Sequence, residues 1–197
     1  SYATGNVTAT EDYAGGLIGL SRGDIRKSYA SGNVTASGYA GGLEGGSTTG
    51  SRFVQDSFAT GDVDIAGGRY AGGLSGYILV NNSANRVTNN FATGRVIGGQ
   101  DVGGLYGYVQ RQNDNAVRWS YAIGQVIRSV AAPVGTEGSF GPLFGRVNSY
   151  AAIENTTNFH RGDIEPIEEG GGVIAGYNDT EQNDLSDTDM KAQGNFT

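Results

Sequence analysis

Four carboxylates are spaced so that they could act together. Asp62 and Asp64 stand two residues apart, where one strand face could carry both, and Asp24 and Asp101 hold comparable places in neighbouring stretches. Converging acids of this kind run the general acid–base hydrolysis of polysaccharides. The chemistry around them is thin. His160 is the single histidine, cysteine is absent, and no Gly-x-Ser-x-Gly occurs, so neither a zinc site nor a nucleophile triad can be assembled. The acids therefore read as solvating surface charge, and the chain as non-enzymatic, with no catalytic residue, no metal ligand and no cofactor. The run from Asp179 to Asp189 invites calcium, but it lacks the sixth-position glycine and closing glutamate of an EF-hand loop. Calcium is thus a secondary candidate, and a solvated loop is the default.

A second group of residues suits binding. Tyr106, Tyr108, Arg111 and Trp119 cluster around a long insertion, and aromatic faces beside an arginine are the usual means of stacking on a sugar. The plainer alternative is that they cover the flank of the molecule. Arg-Gly-Asp occurs at Arg22 and again at Arg161, but Gly-Asp/Asn-Val/Ile is itself a recurring unit here, which makes chance matches common. Thr4, Ser31, Thr60 and Thr93 form a short hydroxyl series without the second rank that ice binding needs.

What positions these residues is repetition. Ser1-Tyr2-Ala3-Thr4-Gly5-Asn6-Val7 returns with small changes at Ser28, Ser57, Asn90 and Ser120, and in a worn form at Asn158, at spacings of 27, 29, 33, 30 and 38 residues. A period of this size signals a stacked, quasi-one-dimensional protein. Each repeat carries apolar marks. Ile25, Val54, Val87 and Val117 precede the aromatic by four residues, and the aromatic column itself is Tyr2, Tyr29, Phe58, Phe91 and Tyr121. A valine follows at Val7, Val34, Val63, Val96 and Val126, and a Gly-Gly-Leu-x-Gly motif places Leu17, Leu43, Leu74, Leu105 and, in variant form, Leu143. Short β-branched and aromatic bursts punctuated by glycine read as short strands, and no helical period is sustained.

The expected fold is all-β: a parallel β-helix or β-solenoid of about six coils over residues 1–177. A C-terminal cap or linker is expected over 178–197, with a short helix at 187–192 packing Leu185 and Met190 on the last coil. Equivalent residues would then stand about 4.8 Å apart in columns. The aromatic and the valine are five residues apart, so an unbroken strand places them on opposite faces. Either the glycine between them is a corner and both point inward, or the aromatics form an exposed ladder. Free exchange of Tyr and Phe favours the inward stack. The residue after the motif leucine (Ile18, Glu44, Ser75, Tyr106, Phe144) varies so much that it is expected to face out.

The paired motifs Ser-Tyr-Ala-Thr-Gly-Asn-Val and Gly-Gly-Leu-Ile-Gly resemble the GLUG repeat of large secreted bacterial proteins, among them filamentous-haemagglutinin-like adhesins. The likeness covers residues 1–145 well and 158–176 loosely, and departs where Asp101 and Ser139 replace Tyr13, Tyr39 and Tyr70. It implies a parallel β-solenoid, secreted or on the bacterial cell surface, with surface glycans or host cell-surface proteins as partners.

Bulk composition agrees with such a rod. A net charge of −7 and only two lysines, Lys27 and Lys191, argue against nucleic acid. No apolar run is long enough to cross a bilayer. Residue 1 opens inside a repeat, as expected of a segment cut from a longer chain with its targeting signal upstream. The leading expectation is a structural and adhesive solenoid displaying variable loops. End-to-end self-association through open β-rungs is the alternative, ahead of a polysaccharide-active enzyme or an ice-binding solenoid.

Overall fold

A computed structural model of the chain describes residues 1–10, 12–48, 53–65, 67–80, 87–111, 117–129, 138–148, 159–161, 167–168 and 183–185. The fold is an all-β parallel solenoid with four sheets, here called A to D in the order the chain visits them. In the third coil the chain runs through Val54–Ala59 in sheet A, Val63–Ile65 in B, Tyr70–Gly72 in C and Ser75–Val80 in D. Each strand pairs in parallel with its counterparts one repeat away, in the register that the motifs set: Phe58 opposite Phe91, Val63 opposite Val96, Ala71 opposite Val102 and Ser75 opposite Tyr106. Sheets C and D hold five strands each. Five coils therefore contribute to all four sheets, and a sixth adds Phe159–Arg161 to A and Ile167–Glu168 to B. The helix expected at 187–192 and Met190 lie outside the described residues. From the same tail, Asn183–Leu185 pairs in parallel with Phe159–Arg161.

The interior is two thin columns. Ile25, Val54, Val87 and Val117 pack with Leu43, Leu74, Leu105 and Leu143 between sheets A and D. Val34, Val63, Val96 and Val126 pack with Ala40, Ala71 and Val102 between B and C. In the first coil Leu17 and Val7 are only partly buried, each packed against one of these clusters.

Two expectations are corrected. The aromatics Tyr2, Tyr29, Phe58, Phe91 and Tyr121 point outward, and the alanine after each aromatic fills the core place instead, as Ala59 and Ala92 show. For the four from Tyr29 onward the cause is a left-handed residue two positions earlier: Lys27, Asp56, Asn89 and Trp119 have φ of 47°, 51°, 57° and 48°. Each adds one step to its strand, so Val54 and Ser57, three apart, both face in and Phe58 faces out. A single inserted residue inverts the facing of everything after it. The second correction concerns the residue after the motif leucine. Glu44, Ser75, Tyr106 and Phe144 are buried, because a bend between sheets C and D interrupts strand alternation there. Variation in this column is absorbed between neighbours: Ser75 Oγ donates to Glu44 Oε2 at 3.3 Å, and the rings of Tyr106 and Phe144 stack at 6.1 Å.

The glycine of the Thr-Gly-Asn corner answers to the neighbouring coil. A Cβ on Gly61 would lie 2.1 Å from the carbonyl oxygen of Gly32, which is backbone and cannot step aside. The residue after it builds a side-chain ladder. Asn6 Oδ1 accepts the N–H of Asn33, Asn33 Oδ1 that of Asp62, and Asp62 Oδ1 that of Arg95, at 2.9, 2.9 and 2.8 Å.

Candidate functional site

Two aromatic assemblies lie on the outside, and their ring geometry separates them. Along sheet A, Tyr2, Tyr29, Phe58, Phe91 and Tyr121 stack at 5.3, 4.9, 4.6 and 5.0 Å with interplanar angles of 9° or less. Rings stacked face to face cover each other's faces and offer solvent only their edges. Tyr2, 68% exposed, has a ring neighbour on one side alone. This ladder stabilises the stack and gives a planar ligand little to lie on.

The second assembly stands where sheets C and D meet. At the bend the two sheets touch backbone to backbone: a Cβ on Gly72 would lie 2.0 Å from Ser75 O and 2.7 Å from Gly107 N. Further from the bend the tyrosines of the two sheets face one another. Sheet C supplies the column Tyr13, Tyr39, Tyr70, in register with one another and ending at Asp101. Sheet D supplies Gly46, Tyr77, Tyr108 and then Arg146. A side chain at Gly46 would strike the ring of Tyr13 at 2.7 Å, so glycine keeps that side open.

The two columns are offset, and the parallel stack breaks. Tyr13 and Tyr39 stack at 4.6 Å and 13°, and Tyr70 and Tyr77 lie near-parallel at 6.0 Å and 23°, but Tyr39 meets Tyr70 at 71°, Tyr70 meets Tyr108 at 61°, and Tyr77 meets Tyr108 at 53°. Angled rings leave faces uncovered. Together with Gln110 these five tyrosines line an open groove of about 410 Å³, with Thr48 and Leu79 on its wall. The Tyr77 hydroxyl donates to Gln110 Oε1.

Burial shifts the titration of three of these phenols. It raises Tyr77 to about 12, with neighbouring tyrosines adding to the effect, and raises Tyr13 and Tyr70 as well. Arginines attend the groove. Arg69, hydrogen-bonded to the Tyr39 side chain, lies 6.0 Å from the Tyr70 ring centre, and Arg146 lies 5.7 Å from that of Tyr108. Such placements combine a guanidinium with an aromatic face. The arrangement can stack on an apolar sugar face, donate from several phenols and accept at Gln110.

The residues singled out from sequence are dispersed. Tyr108 lies in the groove. Tyr106 is fully buried in the core between sheets A and D, so its place among ligand-stacking residues is corrected. Trp119 is 59% exposed on the left-handed bulge beside sheet A. Arg111 ends the strand Tyr106–Arg111 opposite Val80, and its side chain lies outside the described residues. The acids do not form one site. Asp62 belongs to the corner ladder and pairs with Arg95 at 3.3 Å, Asp24 pairs with Arg26 at 2.9 Å and accepts the N–H of Phe53, and Asp64 lies in sheet B. The first Arg-Gly-Asp motif thus has its aspartate engaged within the fold. Among the described residues no group of three or more His, Asp or Glu is placed to hold a metal ion. Comparison with models of protein families, with curated proteins and with solved structures returned no match to this chain.

Sequence reasoning passed over Tyr13, Tyr39, Tyr70 and Tyr77. For the first three a signal was present: a tyrosine three residues before the Gly-Gly pair's second glycine recurs in three successive repeats, then stops at Asp101. A column that is kept and then dropped marks a local surface.

Proposed function

We propose that this chain is a non-enzymatic, adhesive β-solenoid segment of a secreted or cell-surface bacterial protein, and that it attaches to glycans through the tyrosine groove. The observation that carries the reading is the broken stack. Where sheet A seals its rings face to face, Tyr70 meets Tyr39 and Tyr108 at 71° and 61°, and Tyr77 meets Tyr108 at 53°, which leaves ring faces to a groove with hydroxyl and amide groups at its edge. Sugar rings have apolar faces that stack on aromatics and hydroxyls that pair with such groups. Among the described residues, those lining the groove include no carboxylate and no imidazole, which suits holding a ligand better than cleaving it. The resemblance of the repeat to secreted adhesins supports the extracellular setting, and the parallel ladders supply a stiff support for the site. Binding of the full chain to a panel of immobilised oligosaccharides, compared with Tyr77→Ala and Tyr108→Ala, tests it. Retention of at least one glycan class by the native chain and its loss in both variants is the expected result. A blank panel, or binding that both variants keep, overturns the reading.

A further inference from the structure

The charge around the groove narrows the ligand class. The chain carries a net charge of −7, yet the groove's Asp101 end is flanked by two guanidinium groups. Arg69 is exposed and Arg146 half exposed, and both act on the same carboxylate, that of Asp101. Asp101 is a poor match for the pair. It is 1% exposed, and its Oδ1 accepts the N–H of Ser139 at 3.0 Å. Its Oδ2 has Arg146 Nη1 as a loose partner at 3.7 Å, a long ion-pair contact. One buried carboxylate thus stands against two guanidiniums, of which Arg69 is also hydrogen-bonded to the Tyr39 side chain. At the opposite end Asp12 lies by Tyr13, while Arg22 Nε donates to Thr48 Oγ1 at 3.4 Å, so positive charge is not in excess there.

Resting on the glycan-binding reading above, we propose that the groove takes a carboxylate-bearing glycan, a polyuronate chain, with a uronate carboxylate received by Arg69 and Arg146 beside the faces of Tyr70 and Tyr108. Guanidinium forks match a carboxylate in shape and charge, and such bonds are stronger than neutral ones. A hexuronate also presents the apolar ring face that the tyrosines require. The charge difference lies at one end of the groove, so the chain is held with a preferred direction.

Titration calorimetry of the full chain with oligogalacturonate, and with the same oligomer methyl-esterified, tests the proposal. The acidic form is expected to bind about tenfold more tightly, the value of one charge-assisted contact. The difference should shrink with added salt, and Arg69→Gln and Arg146→Gln should each reduce the acidic form towards the ester. Equal affinity for the two forms, or a preference that survives both substitutions, overturns this inference and leaves glycan binding standing. Failure of both oligomers to bind, together with a blank oligosaccharide panel, removes the inference and its foundation.

Discussion

The Oγ of Ser57 accepts the backbone N–H of Ser28 at 3.2 Å, across the gap between two coils. Ser57 passes its own N–H on to Asn90 Oδ1 at 3.1 Å, and Asn90 gives its N–H to Ser120 Oγ at 3.3 Å. The relay follows from the left-handed residue just before each donor, which breaks the regular ladder and leaves that N–H to a side chain. Ser57 and Ser28 are both buried, so truncation leaves a donor without water or partner. Ser57→Ala is expected to cost about 1–3 kcal/mol in urea denaturation. A loss below about 0.5 kcal/mol, the range of inert surface changes, contradicts the relay.

The corner glycines divide by position in the stack. A Cβ at Gly61 would meet Gly32 O at 2.1 Å and Gly32 C at 2.5 Å, whereas one at Gly5 would meet nothing within 4 Å. Neither corner needs a positive φ, since Gly67 is the positive-φ glycine among the described residues. Gly61→Ala should therefore push two coils apart and lower stability by about 1–3 kcal/mol or more, as overpacking does, and Gly5→Ala should be close to neutral. Equal effects in thermal denaturation contradict the close-approach explanation.

The solenoid was legible because stacking makes equivalent residues neighbours, so Val34, Val63, Val96 and Val126 repeat wherever the core repeats. The facing of Phe58 was not legible. It depends on Asp56 adopting a left-handed backbone, and the same place is filled by Lys27, Asn89 and Trp119, of which only Asn89 shares the short polar side chain that favours this conformation. Glu44 misled for a related reason: a buried column tolerates a carboxylate when the next coil offers Ser75. The groove arises between columns on two sheets, Tyr70 on one and Tyr108 on the other. Their sequence separation of 38 residues says nothing of a ring distance of 5.0 Å.

Tyrosine ionisation gives a signature of the groove. With Tyr77 raised to about 12 by burial, the folded state holds its proton more tightly than the unfolded chain, whose phenols titrate near 10. The contribution is complete below pH 10 and is lost as pH rises from 10 through 12, because the unfolded state ionises first. Ultraviolet titration should show a late-ionising tyrosine that Tyr77→Phe removes. A wild-type curve with every tyrosine titrating near 10 contradicts the burial, and glycan binding should stay level up to about pH 9.

Stability and attachment should separate between the two aromatic assemblies. Phe58 lies between Tyr29 at 4.9 Å and Phe91 at 4.6 Å, so Phe58→Ala removes two stacking contacts and opens the ladder mid-rod. The expected loss is about 1–3 kcal/mol, less than for a fully buried ring because Phe58 is only partly buried. Its ring faces are already covered, so glycan affinity should not move. Tyr108 has the opposite profile. It meets Tyr70 and Tyr77 at angles of 61° and 53°, and it packs against the partly exposed Arg146. Tyr108→Ala should weaken binding by about tenfold or more, as loss of an aromatic anchor does, with the smaller effect on melting temperature. Measuring both quantities on both variants decides the matter. If Phe58→Ala abolishes binding while Tyr108→Ala leaves it intact, the attachment face is the ladder of sheet A. The geometry of covered and uncovered ring faces would then have been read the wrong way round.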